Sequence, residues 1–374
     1  MQTNILDAVY GCLIGSAISE ALGAPIEGMH YREIRAQYGK LTELIESYRG
    51  NTGNRYEDSR GEAGIPGAVT DDATWRHYIA MTIVRKGGRI TPDDFAALLI
   101  EKMNPNRLWL NERIVYQKLL IGMNPWDMGR GTVPASCAMM AIAPVGIINA
   151  GDPAQAYQDA LDIAGVNQDE VNRDAAGTLA AGIAVALTPG ATVEDVLKAM
   201  EKYSSFVIKH TIILAMDLAR ASATVDEFAE KFYGRMLDWT APSPPWKGAW
   251  DKTYYESGNS LEVLPAVMGI LYLTGGDVNQ CIIEGANFGR DCDTIGNIVA
   301  GLAGCLQGAG AIRQSWKDVV ETANADFFAE LEGDPSANYY SLSKRLVEAL
   351  RLEQQAAKER ANRLAQLLET NLAG

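Results

Sequence analysis

Apolar residues along this chain recur at three- and four-residue spacing, and the strict alternation of a half-buried strand is nearly absent. The first such run, residues 5–22, carries Leu13, Ile14, Ile18 and Leu22 on an apolar side, with Gly11, Gly15, Ala17 and Ala21 where a neighbouring helix would cross. Gly23 is placed to cap it, and Ala24-Pro25-Ile26-Glu27-Gly28 forms a tight loop presenting one carboxylate. Short helices are expected over 31–38 and 41–47, a polar loop over 49–69, and a helix from Thr70 to Arg85. Thr91-Pro92-Asp93-Asp94 joins an N-cap to a proline at the first helical position and starts the next. Residues 104–136 read as loop, with Trp109, Trp126 and Gly129-Arg130-Gly131 in it. Further helices are expected over 136–148, 152–165, 169–187, 192–202, 204–221, 224–237, 262–274 and 277–288, and from the Asp291 region to Gly308. Residues 239–260 are irregular and aromatic, with Trp239, Trp246, Trp250, Tyr254 and Tyr255. The tail, 340–372, is a charged amphipathic helix bearing Leu346, Leu350, Leu352, Leu364, Leu367 and Leu368. The fold is therefore all-α, and the abundant Ala and Gly predict close helix packing in a compact multi-helix bundle.

The 374 residues allow two domains or one large one. The boundary is expected near the tail, with residues 1–325 as the helical domain and 326–374 as a helical extension. A net charge of −14 and a sequence pI of 4.8 argue against nucleic-acid or anionic-membrane binding, which use basic surfaces. They leave room for a nucleotide-like ligand in a metal-lined pocket, because a bound cation reverses the local sign. Cys12, Cys137, Cys281, Cys292 and Cys305 are odd in number, irregularly spaced and mostly within apolar runs, so they read as buried free thiols. The N-terminus lacks a basic leader and no apolar run is read as reaching the ~18 residues of a membrane span, so a cytoplasmic protein is expected.

Two acidic clusters change the picture. Thr70-Asp71-Asp72-Ala73-Thr74-Trp75 and Gly289-Arg290-Asp291-Cys292-Asp293-Thr294 each stand at the start of an apolar helical run. Thr and Asp are also preferred helix N-caps, and the helix dipole favours acids in a first turn, so either cluster alone is explained as a cap. Together, Thr70, Asp71, Asp72, Asp291, Asp293 and Thr294 offer the all-oxygen side chains that Mg²⁺ and Mn²⁺ prefer. The expectation is that the clusters meet and hold two divalent cations.

Three stretches resemble the ADP-ribosylglycohydrolase family. Gly15–Glu27 is similar to its N-terminal helix and glutamate loop, Thr70-Asp71-Asp72-Ala73-Thr74 to its Thr-Asp-Asp-Thr segment, and Gly289–Gly296 to its Gly-x-Asp-x-Asp-Thr helix. Ala311–Trp316 fits a short segment that follows, and the resemblance spans residues 5–320. It implies an orthogonal all-α bundle with a binuclear Mg²⁺ or Mn²⁺ centre, and hydrolysis of an α-linked ADP-ribosyl bond to a protein side chain or small molecule. It makes the six residues above metal ligands and places Glu27 at the substrate edge. The chain departs from the pattern in four places. Glu20 stands where the family commonly has Asp, and Ala73 is the fourth residue of the Thr-Asp-Asp-Thr segment. The family's Asn-Gly-Ser-Ala-Met-Arg and Thr-His stretches appear as Ser136–Ala141 and Val166-Asn167.

On this reading two cations ~3.5–4 Å apart lower the pKa of a shared water and clamp ribose hydroxyls. The bond breaks through an oxocarbenium-like transition state, with Asp293 or Glu27 as base. Gly131, Thr132, Ser136 and Asn167 are expected to contact the rest of the substrate. Two other readings fit: an N-ribosyl glycosidase acting on a nucleoside or other small ribosyl compound, and a catalytically silent binding protein, which the six retained ligand positions oppose. The aromatic stretch 239–260 could cover the pocket or simply pack, and the C-terminal helix could dock on the domain or pair two copies as a homodimer. His30, His77 and His210 are scattered and read as surface or core residues.

Overall fold

The helix Ile5–Gly23 is buried from Gly11 to Gly23 without interruption, which is where a helix apolar on every side belongs. Asn4 starts it by accepting a hydrogen bond from the Asp7 backbone N–H at 2.9 Å. Around it pack the helices Val278–Ala286, Cys292–Gln307, Gln314–Ala323 and the first turns of Tyr339–Leu372. The structure, a computed structural model, describes residues 4–46, 64–237 and 258–372, and among these residues there are helices and turns but no strand. The all-α expectation holds. A second layer forms round the helix Glu170–Ala186, which contacts Pro153–Ala164, Val193–Lys202, Ala143–Ile148 and Ser260–Leu273.

The two helices that carry the site run antiparallel in very close contact. A Cβ added at Gly304 would lie 2.1 Å from the Gly11 carbonyl oxygen, and one at Gly15 would lie 3.0 Å from that of Ala300. One at Gly296 would lie 2.3 Å from Ser19 Oγ, and one at Gly23 would lie 2.7 Å from the Asp293 backbone. The contacts step by four residues on one helix and by roughly four on the other, so small residues on both i±4 rows let the backbones touch. Ser16 Oγ donates to the Asn297 carbonyl at 2.8 Å and Ser19 Oγ to that of Ile282 at 2.9 Å, fixing the register.

Residues Ile5–Ile26 do reach the length and hydropathy of a membrane span, contrary to the sequence reading, but 78% of that stretch is buried inside the protein. All five cysteines are free and buried. Residues 41–46 are not helical: Asn287 captures Leu41 from both sides, accepting its N–H and donating to its carbonyl, both at 2.8 Å. The loop expected over 104–136 contains a helix, Leu110–Leu120. The single helix expected over 136–148 is broken into a 3₁₀ turn, Met139–Ala141, and a short helix, Ala143–Ile148. Pro144 causes the break, because its ring clashes with the carbonyl four residues back. That carbonyl, on Met140, accepts instead from Asn297 Nδ2 at 3.0 Å. Helix Gln314–Ala323 lies where no helix was expected, and Ala325–Glu332 opens the stretch read as a helical extension. The C-terminal helix buries Leu346 and Val347 against the body and exposes Leu352, Leu364, Leu367 and Leu368. Of the aromatic stretch 239–260, all but the last three residues fall outside the described residues.

Candidate metal centre

Both acidic clusters sit at helix starts. Thr70 caps Asp71–Lys86, its hydroxyl accepting from the Asp72 N–H at 3.4 Å. Asp291 precedes Cys292–Gln307, placing Asp293 in the first turn, and all five acidic and hydroxyl neighbours Asp71, Asp72, Asp291, Asp293 and Thr294 are buried. Glu27 comes from the other side of the close helix contact. The helix Ile5–Gly23 ends against Asp293, the 3₁₀ turn Ala24–Ile26 carries the chain round, and Glu27 follows half-buried. Two backbone bonds lock this loop to the second cluster: Gly28 N–H donates to the Arg290 carbonyl at 2.8 Å, and Arg290 N–H to that of Met29 at 2.7 Å. Arg290 holds a positive φ of 56°, and its side chain is anchored to Glu262 at 2.6 and 3.0 Å. Glu27, Asp291 and Asp293 each offer a carboxylate oxygen within 4.8 Å of the others.

The electrostatics show the cost of gathering these groups. Burial, then the charges of Asp293 and Glu262, push Asp291 up to about 8, against hydrogen bonds from Thr294 and Ser136. Burial, then Asp293, Glu20, Asp71 and Asp291, push Asp72 well above the usual carboxylate range. Like charges this close disfavour ionisation of each other, and a cation among them removes the penalty. The donor set is all oxygen and mostly carboxylate, which fits Mg²⁺ or Mn²⁺ and does not fit zinc's preference for nitrogen and sulfur.

Beneath the centre lies a buried polar network that the sequence did not announce. Glu20 accepts from the Thr70 N–H at 2.7 Å, the Thr70 hydroxyl at 3.0 Å and the Ala73 N–H at 3.1 Å, and pairs with Arg76 at 3.2 Å. Arg76 reaches on to Asn297 Oδ1 at 2.5 Å, and Asn297 Nδ2 donates to Asp72 Oδ2 at 2.9 Å. Glu20 thus supports Thr70 and the first turn of its helix. The hints in the sequence were Glu20 itself, standing where the family commonly has Asp, a lone Asn within the apolar run after Asp293, and an Arg within the run after Asp72.

The residues expected to meet the rest of the substrate are placed differently from one another. Ser136 is at the centre, its Oγ donating to Asp291 Oδ2 at 3.1 Å and its N–H to the Gly258 carbonyl at 2.6 Å. Asn167 is buried and donates to Glu112 Oε1 at 3.1 Å. The Thr132 hydroxyl is shared between the carbonyls of Gly129 at 2.7 Å and Asn167 at 2.9 Å, so it holds the loop. Gly131 is exposed at positive φ, with open space where a Cβ would project. Glu112 escaped the sequence reading because it lies in the helix that was read as loop.

Comparisons with known proteins bear on the family and the fold. The sequence pattern of the ADP-ribosylglycohydrolase family matches residues 1–356. The chain is 24% identical over 328 residues to "Uncharacterized protein YegU" of Escherichia coli (strain K12), covering 85% of this chain and 93% of the relative. It is 23% identical over 357 residues to an uncharacterized protein of Archaeoglobus fulgidus, covering 90% and 97%. Among solved structures, an "ADP-ribosylglycohydrolase-related protein complex" superposes with a TM-score of 0.59 at 18% identity, over 93% of this chain and 99% of that one, which bears on the fold alone. With the family pattern running through both acidic clusters and the glutamate loop, the chain belongs to the ADP-ribosylglycohydrolase family.

Proposed function

We propose that the protein is a metal-dependent glycohydrolase that cleaves the bond between a ribosyl anomeric carbon and its leaving group, in an ADP-ribosyl or related ribosyl compound. The observation that carries this is the convergence of Glu27, Asp291 and Asp293 within 4.8 Å, from segments over 260 residues apart. Thr70, Asp71, Asp72, Asp291, Asp293 and Thr294 would hold two divalent cations, Mg²⁺ or Mn²⁺. Bound there, such cations supply Lewis acidity toward ribose hydroxyls and lower the pKa of water.

The chain's own residues do the rest. Glu27, pinned by the Gly28 and Arg290 backbone bonds, stands at the half-buried edge and accepts the proton of the attacking water. Asp293 is the alternative acceptor of that proton, within 4.8 Å of Glu27. Water oxygen bonds to the anomeric carbon, the bond to the leaving group breaks, and the leaving group takes up a proton. Ser136 and Thr294 orient Asp291 by hydrogen bonds. Burial of the cluster keeps bulk water from screening these charges.

The placement of residues 136–141 favours a small ribosyl compound over a modified protein as substrate. Met139, Met140 and Ala141, in the stretch that the resemblance assigns to ADP-ribose, are folded into the core. The test is a side-by-side assay of the Mn²⁺-loaded protein on ADP-ribosylarginine in protein, free ADP-ribosyl compounds and simple N-ribosides. Release of the leaving group from any of them supports the reading. Stoichiometric Mn²⁺ binding with no hydrolysis across the panel overturns it in favour of a binding protein.

A further inference from the structure

Beside the carboxylate cluster lies a second polar group that the metal centre does not use. Glu112, in the first turn of Leu110–Leu120, is fully buried, and Asn167 is 1% exposed. Asn167 Nδ2 donates to Glu112 Oε1 at 3.1 Å. The remaining acceptors of this pair, Glu112 Oε2 and Asn167 Oδ1, are shielded from solvent and accept from no N–H or O–H group, with the weakly donating Cys137 thiol lying against Glu112. The nearest amide, Asn111, is already committed to the Val133 backbone, accepting at 2.9 Å and donating at 2.7 Å. A buried acceptor left without a donor costs about 1–3 kcal/mol. Two such atoms on one bonded pair give a place where an incoming donor would be satisfied twice.

The pair adjoins the centre. Ser136 donates to Asp291, and the next residue, Cys137, has its thiol against Glu112 and Asn111. One peptide unit, 3.8 Å between Cα atoms, therefore separates a residue on the carboxylates from one on the Glu112 group. A phosphate or carboxylate arriving here would bring further acceptors to a pair that lacks a donor, whereas an N–H group would satisfy both open oxygens.

We propose that Glu112 and Asn167 form the subsite for the part of the substrate beyond the ribose ring, and that this part presents a neutral or cationic –NH₂ donor rather than an anion. The proposal rests on the ribosyl-hydrolase reading for what fills the centre, and it specifies the substrate class within that reading.

The experiment uses the full chain loaded with Mn²⁺ and two probes, 1-ribosylnicotinamide and 1-ribosylnicotinate, which differ only in a carboxamide against a carboxylate. Binding is followed by calorimetry and base release by absorbance, for wild type, Glu112→Gln and Asn167→Ser. Sites built to hydrogen-bond a group reject the analogue lacking it strongly, so the wild type binds the amide at least tenfold tighter than the acid. In Glu112→Gln, where an acceptor becomes a mixed donor and acceptor, the ratio falls to within about twofold, and Asn167→Ser moves it the same way. Mn²⁺ affinity stays unchanged in both variants, which also reports that they fold. A purely structural Glu112 would leave the ligand ratio untouched. Equal binding of the two probes by wild type, or a preference that survives both variants, overturns the proposal. Amide preference without base release keeps the subsite and overturns the hydrolase reading; base release at equal rates from both probes does the reverse.

Discussion

Gly23→Ala tests whether the helix contact sets the geometry of the centre. The added methyl would lie 2.7 Å from both the Cα and N of Asp293 and 3.0 Å from the Cys292 carbonyl carbon, all backbone atoms that no rotamer change can move. Ordinary contact begins at 3.4 Å, so the two chains must part by 0.7 Å at this point. Overpacking of this kind costs about 1–3 kcal/mol, offset by up to about 1 kcal/mol for replacing a helical glycine. The change in stability is therefore modest. The larger effect falls on the site, since Glu27 follows four residues after Gly23 while Asp293 is the group displaced. Misplacement by about 1 Å lowers rates by roughly a hundredfold, so a loss of about 10–100-fold in turnover is expected, with weakened Mn²⁺ binding. Gly304→Ala is the companion variant. Its methyl would lie 2.1 Å from the Gly11 carbonyl oxygen, a worse clash at the far end of the same contact. It should cost more in thermal stability and less in Mn²⁺ affinity. If Mn²⁺ calorimetry shows Gly304→Ala weakening the centre more than Gly23→Ala, loss of function merely tracks loss of stability and the reasoning fails.

Asp71→Ala or Asp293→Ala should abolish binding of at least one cation while helical circular dichroism is retained; unchanged Mn²⁺ stoichiometry in both would contradict the assignment. Glu27→Gln should lower turnover on the best ribosyl substrate far more than it lowers Mn²⁺ affinity, and a wild-type rate would make Glu27 a bystander. Glu332 should shape the acid limb of stability. Burial pushes its carboxyl up, but hydrogen bonds and charge from His77 and Arg345 outweigh this and hold it down at about 2, below its ordinary 4.5. The stabilisation is thus complete above pH 4.5 and is lost as pH falls toward 2, so Glu332→Gln should flatten that part of a Tm-against-pH curve.

The legible parts of the sequence were those with local cause. Helical periodicity gave the bundle, and Thr/Asp starts marked both clusters, because capping and spacing are read within one turn. Glu27 was visible as the one carboxylate in a tight loop after Gly23. What stayed hidden depends on distant partners. Leu41 is held out of a helix by Asn287, 246 residues away. Arg76 is tolerated in the core because Glu20, from another helix, pairs with it. Gly11 and Gly15 were visible as crossing positions on Ile5–Gly23, but nothing in that helix says that Cys292–Gln307 is what crosses it. Glu112 and Asn167 meet across 55 residues, and only the three-dimensional arrangement reveals their open acceptors.

That same helix contact governs when the site can exist during synthesis. Ile5–Gly23 leaves the ribosome early, yet the partner that covers its glycine face, Cys292–Gln307, follows about 270 residues later. At about 5–20 residues per second the delay is roughly 14–54 s, a long time for an apolar helix to lie uncovered. In the proposed centre, no earlier intermediate offers the full ligand set, because Asp291 and Asp293 are still untranslated. Chains interrupted before residue 291 therefore carry a sticky first helix and half a ligand set. On the proposed function, metal capture becomes a late checkpoint, marking the moment at which Ile5–Gly23 and Cys292–Gln307 have closed on each other.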